Sequence, residues 1–90
     1  MSTITADGDL DSTFQRKGKK AQLRVGGTWG NGTITFYIER FDEDDGFSAE
    51  ENLYVYANTD GIYEITLEED ARINPKLAGA TSPSLDYDWI

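Results

Sequence analysis

Apolar and polar residues alternate with period two along most of this chain. Ile34, Phe36 and Ile38 alternate with Thr33, Thr35, Tyr37 and Glu39, and Ala21, Leu23 and Val25 alternate with Gln22 and Arg24. Leu53, Val55 and Ala57 alternate with Tyr54 and Tyr56, and the closing run Ser84-Leu85-Asp86-Tyr87-Asp88-Trp89-Ile90 alternates acid and hydrophobe. Period two is the pattern of a strand with one buried face. It predicts strands near residues 2–6, 10–16, 20–26, 32–41, 52–58, 61–68, 71–78 and 84–90. Short strands at this spacing, separated by turn residues, make an antiparallel β-sandwich or partly open barrel of about seven to eight strands. The residues in phase, expected to face inward, are Leu23, Val25, Ile34, Phe36, Ile38, Leu53, Val55, Ile65, Leu67, Ile73 and Leu85.

The punctuation agrees with this reading. Gly26-Gly27-Thr28-Trp29-Gly30-Asn31-Gly32 supplies residues that tolerate positive φ and leads into the longest alternating run. Gln15-Arg16-Lys17-Gly18-Lys19-Lys20 reads as a glycine-centred hairpin tip, and Asn58-Thr59-Asp60-Gly61 as a second hairpin turn. Phe41 to Glu51 is an acidic loop pivoting on Gly46, and Leu77 to Pro83 is a loop of small residues. The one helical signal is a turn at Ser48-Ala49-Glu50-Glu51-Asn52, where Ser48 and Glu51 have capping-box spacing.

Ninety residues make one domain, spanning 1–90, with a single thin core. There is no cysteine, so neither a disulfide nor a zinc–thiolate site is expected. No apolar run reaches the roughly 18 residues of a membrane span, and residues 1–5 lack the pattern of a signal peptide, which predicts synthesis in a cytoplasm. The net charge of −9, from 17 acidic and 8 basic residues, argues against nucleic acid as a direct partner. Its distribution is uneven. Arg16, Lys17, Lys19, Lys20 and Arg24 lie within nine positions, while Asp42, Glu43, Asp44, Asp45, Glu50 and Glu51 sit in a different loop. One positive and one negative edge would let copies meet head to tail; otherwise these are two solvated loops.

Candidate chemistry is sparse. Asp7-Gly8-Asp9-Leu10-Asp11 and Asp42-Glu43-Asp44-Asp45-Gly46 resemble calcium loops, but the required sixth-position glycine and twelfth-position glutamate are Ser12 and Gly18 in one, Phe47 and Leu53 in the other. The glycine cluster at 26–32 is followed by a strand rather than by the Lys-Ser/Thr and helix of a phosphate loop. With no histidine, the commonest general base is missing. A non-enzymatic protein without cofactor or metal is expected. The aromatic set Trp29, Tyr37, Tyr54, Tyr56, Tyr63, Tyr87 and Trp89 is rich for this length. Tyr54 and Tyr56 are out of phase with the core, which puts them on an outer face. Together with Arg16, Lys17, Lys19, Lys20 and Trp29 they form the candidate partner-contact set.

Three segments carry a resemblance: Gly27-Thr28-Trp29-Gly30-Asn31-Gly32-Thr33-Ile34-Thr35-Phe36, then Asp60-Gly61-Ile62-Tyr63-Glu64-Ile65-Thr66-Leu67, then Ala71-Arg72-Ile73 with Leu77-Ala78-Gly79-Ala80-Thr81-Ser82-Pro83-Ser84-Leu85. Together they span residues 26–90, and the pattern is similar to small β-sandwich structural proteins of tailed bacteriophages. The acidic loop at 42–51 departs from that pattern, which has a shorter turn. The resemblance implies a protein of the virion, with the major capsid protein and copies of itself as partners. Decoration of the capsid surface, bridging major capsid subunits, is the role expected first. A head–tail connector or tail component is the second reading, and a carbohydrate-binding adhesion module using the aromatics is the third.

Overall fold

The computed structural model describes all 90 residues, Met1–Ile90. Ten strands follow one another: β1 (Ser2–Ile4), β2 (Gly8–Asp9), β3 (Thr13–Gln15), β4 (Lys20–Thr28), β5 (Thr33–Asp42), β6 (Gly46–Phe47), β7 (Glu51–Ala57), β8 (Gly61–Thr66), β9 (Ala71–Ala78) and β10 (Ser84–Trp89). They form two antiparallel sheets, one of them curled into a half-barrel, as the period-two pattern predicts. The first sheet has the order β1-β10-β4-β8. The second is centred on the β9–β5 pair, with β2 and β3 on the outer side of β9, and β7 and β6 pairing with β5.

The core lies between the sheets. Ala21, Leu23, Val25, Ile65, Leu85 and Tyr87 enter it from the first sheet, and Ile34, Phe36, Ile38, Ala57, Ile73 and Leu77 from the second. Leu10 also contributes, while Leu53 and Leu67 pack against the cluster half-buried. Val55 was expected inside but is 37% exposed. The reason is a bulge. Thr35 pairs with Tyr56 and Tyr37 with Asn52, so Leu53, Tyr54 and Val55 together stand opposite the single residue Phe36. Tyr54 takes a left-handed backbone, φ 57°, and the alternation fails there.

Three further expectations are corrected by the topology. The turns at 15–20 and 58–61 exist but do not make hairpins. β3 pairs with β9 while β4 pairs with β10 and β8, and β7 pairs with β5 while β8 pairs with β4. Each turn carries the chain from one sheet to the other. Alternation and turn residues report which face of a strand is buried, and both arrangements satisfy that requirement equally. The strand expected at 10–16 is shortened to β3, a separate short strand β2 precedes it, and the register on β9 shifts by one residue between Asp9↔Lys76 and Thr13↔Ile73. The break lies opposite Pro75, whose carbonyl accepts from the Leu10 N–H. Pro75 has no N–H to offer on that same side, so the ladder is interrupted there. Finally, Ser48 starts no helical turn. Its N–H donates to the Arg40 carbonyl (2.8 Å) and its Oγ accepts from the Arg40 N–H (3.2 Å), prolonging the β5–β6 hairpin.

The glycine-rich segment is a turn, as expected. The Gly32 N–H donates to the Trp29 carbonyl at 2.9 Å, with Gly30 and Asn31 at φ 58° and 65°. Positive φ at both central residues is a type I′ turn. Its neighbour Asp60 holds it, accepting from the Gly27 N–H (3.2 Å) and from Trp29 Nε1–H (2.8 Å).

Candidate functional site

Outward-facing positions of the second sheet form a groove of about 330 Å³ lined by Asp9, Ser12, Glu39, Glu50, Arg72, Asn74 and Lys76. Strand β9 supplies Arg72, Asn74 and Lys76 at every second residue, because Ile73, Pro75 and Leu77 occupy its buried face. Asn74 is the hub. Its Nδ2 donates to Glu39 Oε1 (2.7 Å) and Glu50 Oε2 (2.9 Å), and its Oδ1 accepts from Ser12 Oγ (2.6 Å). Arg72 Nε donates to Glu39 Oε1 at 2.9 Å, and Lys76 Nζ to Glu50 Oε1 at 2.6 Å. Lys76 Nζ also lies 5.0 Å from the Tyr37 ring centre.

Apart from Asp9, the groove's polar side chains are paired with one another. Hydrogen bonds from Arg72 and Asn74 hold the Glu39 carboxyl below the usual range, and the bond from Lys76 does the same for Glu50. Both are ionised at neutral pH, far from the value a general base needs there. Ser12 donates to an amide oxygen rather than to a base, so nothing activates its hydroxyl as a nucleophile. The arrangement ties the segment before β7 to the middle of β9. These residues were missed as a group in the sequence. The available signal was the period-two set Arg72, Asn74, Lys76 on one strand, complementary in charge to Glu39 on another.

Asp70 has a carboxyl lowered by the Lys17 backbone N–H and then by Arg16. Groups with depressed folded-state pKa values contribute stability above their unfolded values, about 3.9 for Asp and 4.3 for Glu, and lose it as pH falls through the folded values. Thermal stability is therefore expected to hold from neutral pH to about pH 5 and to fall steadily below about pH 4. Asn74→Leu, which removes the shared donor, should lower stability by about 1–2 kcal/mol and flatten that acid dependence. Melts of parent and variant across this range check both statements.

The residues expected to meet a partner lie at three places. Tyr54 and Tyr56 are 74% and 54% exposed on edge strand β7. Trp29 is half-buried, packed against the core with its indole N–H given to Asp60, so part of its surface serves the fold. Arg16, Lys17 and Lys19 occupy the β3–β4 turn, and Lys20 opens β4. Arg16 pairs with Asp70 (3.0 Å) and Lys20 with Glu64 (3.7 Å), leaving Lys17 and Lys19 as the cations of the turn without a carboxylate partner.

The basic turn and the acidic hairpin do not sit at opposite edges. Gln15 and Arg40 both register with Ala71 of β9, so the two charged segments leave the same end of the second sheet. Phe14, Phe41 and Phe47 meet there, with ring centres 5.0–6.1 Å apart. Arg16 lies over Phe14 and Arg72 over Phe47, at 5.2 and 4.1 Å. The hairpin is shaped by Asp42, whose Oδ1 accepts from the backbone N–H groups of Asp44 (2.8 Å) and Asp45 (3.2 Å), with Gly46 at φ 75°. No three acidic side chains converge on a point where a metal ion could sit. Comparison with protein families, with curated proteins and with solved structures finds no match.

Proposed function

We propose that this chain is a non-enzymatic structural protein of a tailed-phage particle, a capsid decoration protein that bridges major capsid subunits. The observation that carries the reading is edge strand β7. Exposed edges are ordinarily blunted with charged residues, proline or a bulge. This one is bulged, but it has no proline and no charge after Glu51, and it presents Tyr54, Val55 and Tyr56 to solvent beside unpaired backbone groups. Aromatic surface of this kind is what protein interfaces use. Tyr54 adds a second point, since a left-handed tyrosine costs about 1–2 kcal/mol that glycine avoids. Backbone strain at an exposed edge position points to a role for the tyrosine side chain itself. The resemblance of residues 26–90 to phage β-sandwich proteins supplies the virion, and a capsid lattice supplies many equivalent sites at which modest contacts are multiplied.

Empty heads assembled from the phage's own major capsid protein are the test surface. The parent chain should co-sediment with them saturably. Tyr54→Gly should leave stability within about 1 kcal/mol of the parent, because relief of strain offsets the freedom gained by the unfolded chain, yet weaken attachment at least about tenfold, the effect of losing one interface anchor. Attachment by Tyr54→Gly equal to the parent's would remove β7 as the contact. Failure of the parent to co-sediment, together with retention on a glycan array, would replace decoration by carbohydrate adhesion.

A further inference from the structure

We infer that two copies of this chain pair through the end formed by Phe14, Phe41 and Phe47, as a two-fold dimer in which the basic turn of each copy meets the acidic hairpin of the other. The inference concerns the isolated chain and does not depend on the capsid reading.

Three observations converge at this end. The first is apolar surface. Phe14 and Phe47 are each 39% exposed and touch each other and Phe41, giving a joined aromatic patch rather than scattered residues. The second is unsatisfied charge of both signs. Lys17 and Lys19 follow Phe14 closely in the chain, and Glu43, Asp44 and Asp45 lie between Phe41 and Phe47. None of these five takes part in an ion pair within the chain. The third is symmetry. Complementary patches lying beside one another on one end are self-complementary under a two-fold axis. The same patches at opposite poles would build open chains instead. A shared anchor fixes them here, since the Asp70 carboxylate accepts from Arg16 and from the Lys17 N–H while its carbonyl accepts from the Phe41 N–H.

The net charge of −9 opposes self-association, but unevenly over the surface. Arg16, Lys17, Lys19, Arg40 and Arg72 gather at this end beside Asp42, Glu43, Asp44, Asp45, Glu69 and Asp70, so an approaching copy meets charges of both signs rather than a uniformly acidic surface. The remaining repulsion is screened beyond about 8 Å at physiological ionic strength. The rings then supply the apolar centre of the contact, and the charges fix its orientation.

Sedimentation equilibrium of the full chain at about 0.15 M salt tests this with a charge swap. The parent should show a reversible monomer–dimer equilibrium. Lys17→Glu with Lys19→Glu should shift it toward monomer by about tenfold or more in dissociation constant, and so should Asp44→Lys with Asp45→Lys, because like charges then face each other twice. An equimolar mixture of the two double variants should recover dimer, since each contact in the mixed pair again joins opposite signs. Phe47→Ser should weaken the parent dimer while the chain still melts cooperatively, at a somewhat lower temperature because the ring also packs on Phe14, Phe41 and Arg72. A parent that stays monomeric to about millimolar concentration, where only the weakest contacts remain undetected, overturns the inference. Double variants that dimerise as the parent does overturn it too, as does a mixture that gains nothing over its components.

Discussion

Phe36→Ala is expected to lower stability by about 3–5 kcal/mol, the usual effect of removing a large ring from a filled core. Phe36 is fully buried in the middle of β5, paired on one side with Pro75 and facing the bulge of β7 on the other. Its ring lies 6.4 Å from that of Tyr63 across the core. Both neighbours are poorly placed to fill the space left behind. Proline has no flexible side chain, and the bulge already holds three residues opposite one. A domain of this size has a total stability of about 5–13 kcal/mol, so the variant should melt on the order of tens of degrees below the parent. A melt within a couple of degrees would mean that the core is centred elsewhere.

Gly30→Ala is the second large effect, about 2–4 kcal/mol from strain and overpacking combined. Gly30 sits at φ 58°, and a Cβ there would lie 2.1 Å from the Thr81 carbonyl oxygen. That oxygen belongs to backbone, and the Gly30 carbonyl in turn accepts from the Thr81 N–H at 2.9 Å, so neither strand connection can withdraw without losing the bond. Gly79→Ala is the control. It shares a positive φ of 74° but has open space around the added carbon, so it should show only the conformational part, about 1–2 kcal/mol. Equal losses in the two variants, measured by denaturant unfolding, would show that the close approach to Thr81 carries no energy.

The inward faces were legible because burial imposes period two directly: Leu23, Val25, Ile34, Phe36, Ile38, Ile65, Ile73 and Leu85 are all buried. Partners were not legible. The Asp60-Gly61 turn has the composition of a hairpin, yet its aspartate is used to grip Gly27 and Trp29 of another connection. Val55 was lost to a bulge that depends on strand β5 opposite it, and Pro75 shows the same dependence in splitting β2 from β3. The charged segments were legible in sign but not in place, since their meeting depends on the common register of Gln15 and Arg40 with Ala71. The phenylalanine patch was hidden for a related reason. Phe14 lies in the strand expected at 10–16, far in sequence from Phe41 and Phe47, and only the topology brings the three together at a sheet end.

The proposed attachment is tested most directly by titrating the chain onto empty heads and counting bound copies at saturation. A decoration protein should saturate at a fixed whole-number ratio to the capsid lattice repeat, and Tyr54→Gly should approach the same plateau only at higher concentration. Absence of a plateau, or no binding above that of an unrelated acidic protein of equal size, would contradict the account.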